Sequence, residues 1–103
     1  MEQGRSRNGV VIRLTDERWQ HILEEHGELR DLRAQVIGAI ENPERILSGT
    51  ASELLALTSL EPGKLLVVVY REVNERDGFV ITAFITRRLN SLNRRQQVWP
   101  LPS

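Results

Sequence analysis

The chain has 103 residues, of which 40% are hydrophobic and 27% charged, a size and balance typical of one globular domain rather than a disordered segment. It contains no cysteine, which excludes disulfides and thiolate metal sites and fits a reducing compartment. The formal net charge is zero, which argues against a strongly basic nucleic-acid-binding protein.

The first segment of the chain is polar. Residues 1–8 carry two arginines and are not followed by the apolar core of a signal peptide, so they predict a flexible leader before a single domain of residues 9–103. The longest strongly apolar run, residues 65–70, is too short to span a bilayer. We therefore expect a soluble, cytoplasmic protein that has no membrane partner.

The N-terminal half predicts one strand followed by two helices. Residues 10–14 are rich in β-branched and aliphatic side chains and predict a strand. Thr15 is a suitable N-cap for a first amphipathic helix, and Gly27 can supply the left-handed residue that ends it. A second helix is predicted over residues 28–41, before the helix-stopping pair Asn42-Pro43. The short link makes the two helices a hairpin.

The C-terminal half predicts a sheet, because the hydrophobic period changes from 3.6 to 2 after Pro43. Its connections are too short for parallel crossovers, so we expect an antiparallel meander of about four strands. The predicted strands are residues 45–48, 53–60, 65–72 and 79–86. The tail, residues 89–99, is compatible with a short helix or with an extended edge strand. The sequence as a whole predicts an α+β fold.

The strands 65–72 and 79–86 allow a prediction of which side chains share a face of the sheet. If an even number of residues separates them, Arg71 lies on the same face as Thr82 and Thr86, with Arg88 just beyond. That register adds Val80 and Phe84 to the same face. It leaves the opposite face to the apolar residues Leu66, Val68, Tyr70, Phe79, Ile81, Ala83 and Ile85.

Guanidinium and hydroxyl groups on one face suit a phosphate or another anion. Threonines in strands and arginines at strand ends also occur without any ligand. From Thr86 onward the chain has four arginines and no acid: Arg87, Arg88, Arg94 and Arg95. This segment is either a phosphate-facing patch or a solvated tail.

The two histidines lie on the first predicted helix. His26 falls on its apolar stripe beside the chain reversal, a position that suits a general acid or base and equally a structural histidine at a helix end. His21 lies nearly opposite that stripe, among Glu17, Glu24 and Glu25, as expected for a solvent-exposed side chain. Their spacing does not bring them onto one helical face, and we expect no metal site and no cofactor.

Several segments together resemble the RelE-type toxins and, more broadly, the barnase–EndoU–colicin–RelE superfamily of metal-independent ribonucleases. Those that resemble its BrnT-type branch are His26-Gly27 closing a helix, Val69-Tyr70-Arg71-Glu72 ending a strand, and Ile81-Thr82-Ala83-Phe84-Ile85-Thr86-Arg87-Arg88 ending the next. Those that resemble uncharacterised phage and bacterial relatives are Trp19-Gln20-His21-Ile22 and Asn42-Pro43-Glu44-Arg45-Ile46-Leu47. The similarity covers residues 10–99.

The resemblance implies an endoribonuclease that cleaves RNA by attack of a 2′-hydroxyl on the neighbouring phosphate. By position, His26 or His21 would handle the proton and Arg71 with Arg87 or Arg88 would stabilise the phosphate. Thr82 and Thr86 would orient it, and Arg94 and Arg95 would add RNA contacts. RNA is then the expected partner, with an antitoxin protein and a second copy of the chain as further candidates. The alternative is a non-catalytic module that binds nucleic acid or protein on the same fold.

Overall fold

The computed structural model describes residues 2–101 and confirms the α+β class, with three helices and a seven-stranded mixed sheet. The elements are β1 Glu2–Arg5, β2 Val11–Leu14, α1 Asp16–Glu25, α2 Arg33–Glu41, β3 Arg45–Ser48, β4 Leu54–Glu61, β5 Lys64–Glu72, β6 Asp77–Thr86, α3 Leu89–Asn93 and β7 Gln97–Trp99. None of the helices in this part of the chain is long and apolar enough to cross a membrane.

The strand order is β1-β2-β6-β5-β4-β3-β7. Strands β3 to β6 each pair antiparallel with the next one along the chain, and β7 adds to β3 at the edge. The one parallel pair of the described sheet joins β2 to the beginning of β6, over Val11–Arg13 and Asp77–Phe79. Because α1 follows β2 directly, it lies beside the rest of β6 in place of a strand.

The N-terminal segment differs from the predicted flexible leader. Residues 2–5 form β1, which pairs antiparallel with β2. Two contacts fix this strand on α2: the Glu2 carboxylate lies 2.6 Å from Arg33 Nε, and Gly4 lies so close to Ile37 that a side chain there would be crowded. Composition gave no sign of these contacts, because the strand itself is polar.

The first helix begins as predicted, and the second begins later. The Thr15 hydroxyl caps α1 by accepting a hydrogen bond from the Arg18 N–H at 3.1 Å. Gly27 is not in the left-handed conformation expected of it; it opens a 3-10 turn, Gly27–Leu29, and α2 starts at Arg33 rather than near residue 28. Leu29 is fully buried, so the turn anchors the link between the helices in the core.

The tail adopts both of the predicted alternatives. Residues Leu89–Asn93 form the short helix α3, and Gln97–Trp99 form the edge strand β7. Arg45 in β3 holds the two together, since its Nε donates to the Gln97 side chain at 2.8 Å and its Nη2 to the Asn93 side chain at 3.3 Å.

The sheet curls strongly around its helices. Strands β1 and β7 are its opposite edges, and seven flat strands would hold them nearly 30 Å apart. Yet the guanidinium of Arg7, in the turn between β1 and β2, lies 4.3 Å from the centre of the Trp99 ring in β7. The two edges therefore approach each other.

The two faces of the sheet have separate apolar clusters. The larger lies on the side of α1 and α2, hereafter the α1/α2 face, and buries Trp19 and Ile22 of α1 against Leu66 and Val68 of β5. The smaller lies on the opposite side, hereafter the α3 face. It contains Leu47, Leu55, Leu57 and Val67 of the sheet and Leu92 of α3.

The predicted distribution of residues over these faces holds for most of β6 and is wrong at its beginning. Arg71, Thr82, Phe84 and Thr86 share the α3 face as expected. The register shifts by one residue, however, since Val69 pairs with Thr82 and Tyr70 with Val80. The extra residue, Ile81, is a β-bulge, and a bulge reverses the alternation beyond it.

Two side chains change face because of this bulge. Val80 is buried among the residues of the α1/α2 face, where the sequence placed it opposite. Phe79 pairs with Arg71 and is 38% exposed, instead of lying in the core.

Candidate functional site

The α3 face is divided into a covered half and an accessible half. Leu92 closes the cluster over β3, β4 and β5, so this part of the face is buried. On β6 the side chains stay half-buried or exposed, and this row, hereafter the β6 row, consists of Phe79, Thr82, Phe84 and Thr86.

A cleft of about 190 Å³ opens where the end of β6 meets α3. Its lining combines apolar, hydroxyl and guanidinium groups: Leu55, Phe84, Thr86, Arg88, Ser91, Leu92 and Arg95. The Thr86 hydroxyl accepts a hydrogen bond from the Arg88 backbone N–H at 3.0 Å, which fixes the start of the α3 segment and leaves the hydroxyl proton free to donate. The polar rim of this β6–α3 cleft therefore offers guanidinium and hydroxyl donors and no carboxylate.

The cations around the cleft are not neutralised by the protein. Arg88, Arg94 and Arg95 are exposed, and none of them forms an ion pair within residues 2–101. Arg87 differs, because its Nη2 lies 2.7 Å from the Glu61 carboxylate. No carboxylate lines the cleft. A neutral chain thus holds a local positive patch, of which Arg88 and Arg95 belong to the cleft itself.

His26 approaches this patch from the free edge of β6. It is the C-cap of α1, which is anchored along that edge by a 3.4 Å hydrogen bond from Arg18 Nη1 to the Ile81 carbonyl. The His26 ring lies 6.2 Å, centre to centre, from the ring of Phe84 in the cleft wall. Its side chain is 29% exposed, and Nδ1 lies 3.7 Å from the Glu28 carboxylate.

Arg71 belongs to another part of the face. It lies opposite Phe79, whereas Thr86 lies opposite Leu65, so about 20 Å of strand separates the backbone of Arg71 from that of Thr86. Its Nη2 donates to the Ala51 carbonyl at 2.6 Å and lies 3.9 Å from the Glu53 carboxylate. Arg71 is thus not one of the residues that line the cleft, and its guanidinium contacts the loop before β4 instead.

The partner of Arg71 is itself held by the loop before β4. The Glu53 carboxylate accepts hydrogen bonds from the backbone N–H groups of Ala51 and Thr50, and these hold its pKa below the usual range, with the nearby Arg71 charge adding to the effect. Ser52 in this loop has a positive φ of 72°. Arg71 and Glu53 thus fasten a strained loop to β5.

His21 is exposed, as predicted, and lies away from the cleft. Its ring nitrogens are 3.9 and 3.7 Å from the carboxylates of Glu24 and Glu25. It faces an open groove of about 670 Å³ on the outer side of α1, where Glu17 and Glu24 also lie. This groove is larger than the β6–α3 cleft, but its carboxylates disfavour an anionic ligand. No group of three potential metal ligands occurs among residues 2–101.

The structure thus brings together part of the predicted constellation. Thr86, Arg88 and Arg95 line one cleft with His26 beside it, and Thr82 lies farther along the β6 row. Arg71, Arg87 and His21 are occupied or placed elsewhere. Sequence reasoning missed the two aromatic side chains of the row: it took Phe79 for core and gave Phe84 no role. Nothing in the local sequence marks Phe79, because its place on this face depends on the bulge at Ile81.

No protein family matches this chain, and neither a curated protein nor a solved structure shows significant similarity to it. The resemblance to RelE-type toxins therefore depends on the sequence motifs and on the order of the elements.

Proposed function

We propose that this protein is a metal-independent endoribonuclease of the RelE-like kind, with its site at the β6–α3 cleft. The observation that carries the proposal is the combination of His26 against the cleft wall with two unpaired guanidinium groups, Arg88 and Arg95, on the rim. Cleavage of RNA through its own 2′-hydroxyl needs a group that takes a proton and cations that stabilise the charge on phosphorus.

Each group has one role in this reaction. His26 accepts the proton of the 2′-hydroxyl, whose oxygen then bonds to the adjacent phosphorus. The bond from phosphorus to the 5′-oxygen then breaks, and a water molecule protonates the departing oxygen. The products are a 2′,3′-cyclic phosphate and a 5′-hydroxyl end, and protonated His26 returns its proton to the hydroxide that the water leaves. Arg88 and Arg95 stabilise the additional negative charge, and the Thr86 hydroxyl donates to a phosphate oxygen.

Arg71 has a different role from the one the resemblance implies. Its backbone lies about 20 Å along the strand from that of Thr86, and it is not among the residues that line the cleft. Its contacts with Ala51 and Glu53 support a structural role in the loop before β4.

The test is cleavage of a mixed RNA substrate in excess chelator by the wild-type chain and two histidine variants. His26→Ala is expected to lower the rate by about 10²- to 10⁴-fold, because a positioned proton acceptor contributes that much. His21→Ala is the matched control, since this histidine lies on the same helix and faces solvent; it is expected to keep the wild-type rate. Equal cleavage by wild type and His26→Ala would refute the assignment.

A non-catalytic RNA-binding module is the second candidate. It is favoured by the cover that α3 provides over half of the face and by the presence of a single histidine at the cleft in the described chain. It predicts that wild type binds RNA through the same cleft without cleaving it under any divalent-ion condition. Cleavage by wild type that is lost in His26→Ala excludes this candidate.

A further inference from the structure

The β6 row has a composition that the cleavage reaction does not use. Two aromatic rings, Phe79 and Phe84, alternate along one strand with the hydroxyls of Thr82 and Thr86. Phe79 is 38% exposed, among the largest values for an apolar side chain of the sheet. The ring of Phe79 thus lies on the accessible face together with Phe84 and the two hydroxyls.

The β-bulge at Ile81 places Phe79 in this row. Without it, regular alternation would turn Phe79 toward the α1/α2 face and Val80 toward the α3 face. With it, Val80 is 1% exposed in the core, and the larger ring stands on the accessible face. Bulges commonly redirect a side chain beside a functional site.

Guanidinium groups lie near both ends of the row, and the one at the Phe79 end, Arg71, is also in contact with Glu53. Arg71 lies directly opposite Phe79, and Arg88 and Arg95 lie beyond Thr86 at the cleft. Phe79 and Phe84 lie opposite Arg71 and Val67, so their positions along the strand are about 13 Å apart. Rings spaced along a track with guanidinium groups are the features that hold an unpaired nucleic-acid strand.

We infer that the β6 row is a stacking platform for single-stranded RNA, in which one unpaired base lies on Phe84 beside the cleft and another on Phe79. The inference rests on the proposed function for the identity of the ligand. In a duplex the base faces are stacked on neighbouring bases, so they cannot stack on Phe79 or Phe84. The enzyme therefore selects unpaired segments of RNA.

The experiment measures binding without cleavage. The probe is a fluorescent 2′-O-methyl oligoribonucleotide of about eight residues, which lacks the attacking hydroxyl, presented single-stranded or annealed to its complement. The variants are Phe79→Leu and Phe84→Leu, which keep an apolar side chain and remove the aromatic face. Leu101→Ala is the matched control, since Leu101 is a 79% exposed apolar side chain beyond β7.

Each leucine variant is expected to weaken binding of the single strand by about tenfold, and the double variant by about the product of the two losses. Leu101→Ala should bind like wild type, and the duplex should bind more weakly than the single strand to every form. Thermal unfolding of each variant shows whether a loss of affinity comes from misfolding. If it does for Phe79→Leu, the variant Phe79→Tyr, which keeps the ring, must bind like wild type.

Two results would overturn the inference: equal affinity for single strand and duplex, or full single-strand affinity in the double leucine variant. These outcomes differ from failure of the proposed nuclease. If the wild-type protein does not cleave RNA but binds it in a way that depends on the two rings, the nuclease proposal is refuted and the stacking platform stands. If the protein cleaves RNA but its affinity for the single strand does not depend on the rings, the stacking platform is refuted and the nuclease proposal stands.

Discussion

The two faces of the sheet show how one set of strands can serve packing on one side and a ligand on the other. On the α1/α2 face, most side chains of β5 and β6 are buried and apolar, and they pack against α1 and α2. On the α3 face, a five-residue helix covers the strands on one side only and leaves the β6 row accessible. Packing in the core accounts for the residue types on the α1/α2 face. The α3 face carries aromatic rings, hydroxyls and cations that core packing does not account for.

The largest difference between the faces should appear in stability. Leu66, which is 0% exposed on the α1/α2 face, leaves a cavity when it is shortened, so Leu66→Ala should lower the free energy of unfolding by about 2–5 kcal/mol. Phe79→Ala on the α3 face should change it by no more than about 0.5 kcal/mol. Urea unfolding measures both. A Phe79→Ala loss as large as that of Leu66→Ala would mean that the ring is a packing residue.

The covered half of the α3 face should depend on one side chain. Leu92 is the contact of α3 with the smaller cluster, and Leu92→Ala should cost about 2 kcal/mol, the low end for a buried leucine, because the cluster is small. Hydrogen exchange should then rise in residues 87–99 and stay unchanged in α1. Ser91→Ala is the control on the same helix, where the side chain is exposed. Unchanged exchange in Leu92→Ala would show that the pairing of β7 with β3 and the Arg45 contacts hold the tail without Leu92.

A pH-dependent effect should come from the loop that Arg71 fastens. Because hydrogen bonds from Ala51 and Thr50 hold the pKa of Glu53 below its usual range, its contribution to stability is present above the unfolded-state pKa. This contribution is lost as the pH falls through the lower pKa that Glu53 has in the folded state. Glu53→Gln should therefore destabilise the protein at about pH 7 and match wild type more closely at about pH 3.

The control for that prediction is Glu75→Gln, since Glu75 is an exposed carboxylate of the loop before β6. It should follow the wild-type pH profile of urea unfolding throughout. If Glu53→Gln lost the same stability at both pH values, the effect would come from altered packing and not from the carboxylate charge.

The smallest change in the free energy of unfolding should come from the contact between the two edges of the sheet, Arg7 with Trp99. The Arg7 guanidinium over the Trp99 ring should contribute about 0.5–1 kcal/mol, the usual range for an exposed cation–π pair. A double-mutant cycle of Arg7→Gln and Trp99→Leu measures it by urea unfolding. A coupling energy near zero would mean that the curl of the sheet depends on its core alone.

Much of the fold could be predicted from the sequence because its signals are local. The Thr15 cap and the strand Arg45–Ser48 each depend on neighbouring residues, and the structure has them where the pattern put them. Strand β1 could not be predicted in this way. It pairs with the neighbouring β2, but its own residues are polar, and the contacts that fix it on α2 are with Arg33 and Ile37, far along the chain.

The candidate site was predictable only in part, for the same reason. Thr86, Arg88 and Arg95 are close in sequence and meet in the cleft, and His26 reaches Phe84 only because α1 occupies the free edge of β6. The separation of Arg71 from this group depends on strand length. The exposure of Phe79 depends on a single inserted residue, whose position no local composition reveals.

The central claim is that RNA phosphates bind the cations of the β6–α3 cleft, and the salt dependence of binding tests it most directly. The affinity of wild type for a single-stranded 2′-O-methyl oligoribonucleotide is measured over a range of salt concentrations, together with Arg88→Ala, Arg95→Ala and Arg30→Ala. Arg30 is an exposed arginine in the turn between α1 and α2. Each lost phosphate contact lowers the slope of log K against log salt by about 0.7 for a single strand. We expect that decrease in Arg88→Ala and in Arg95→Ala and the wild-type slope in Arg30→Ala; equal slopes in all four proteins would contradict the account.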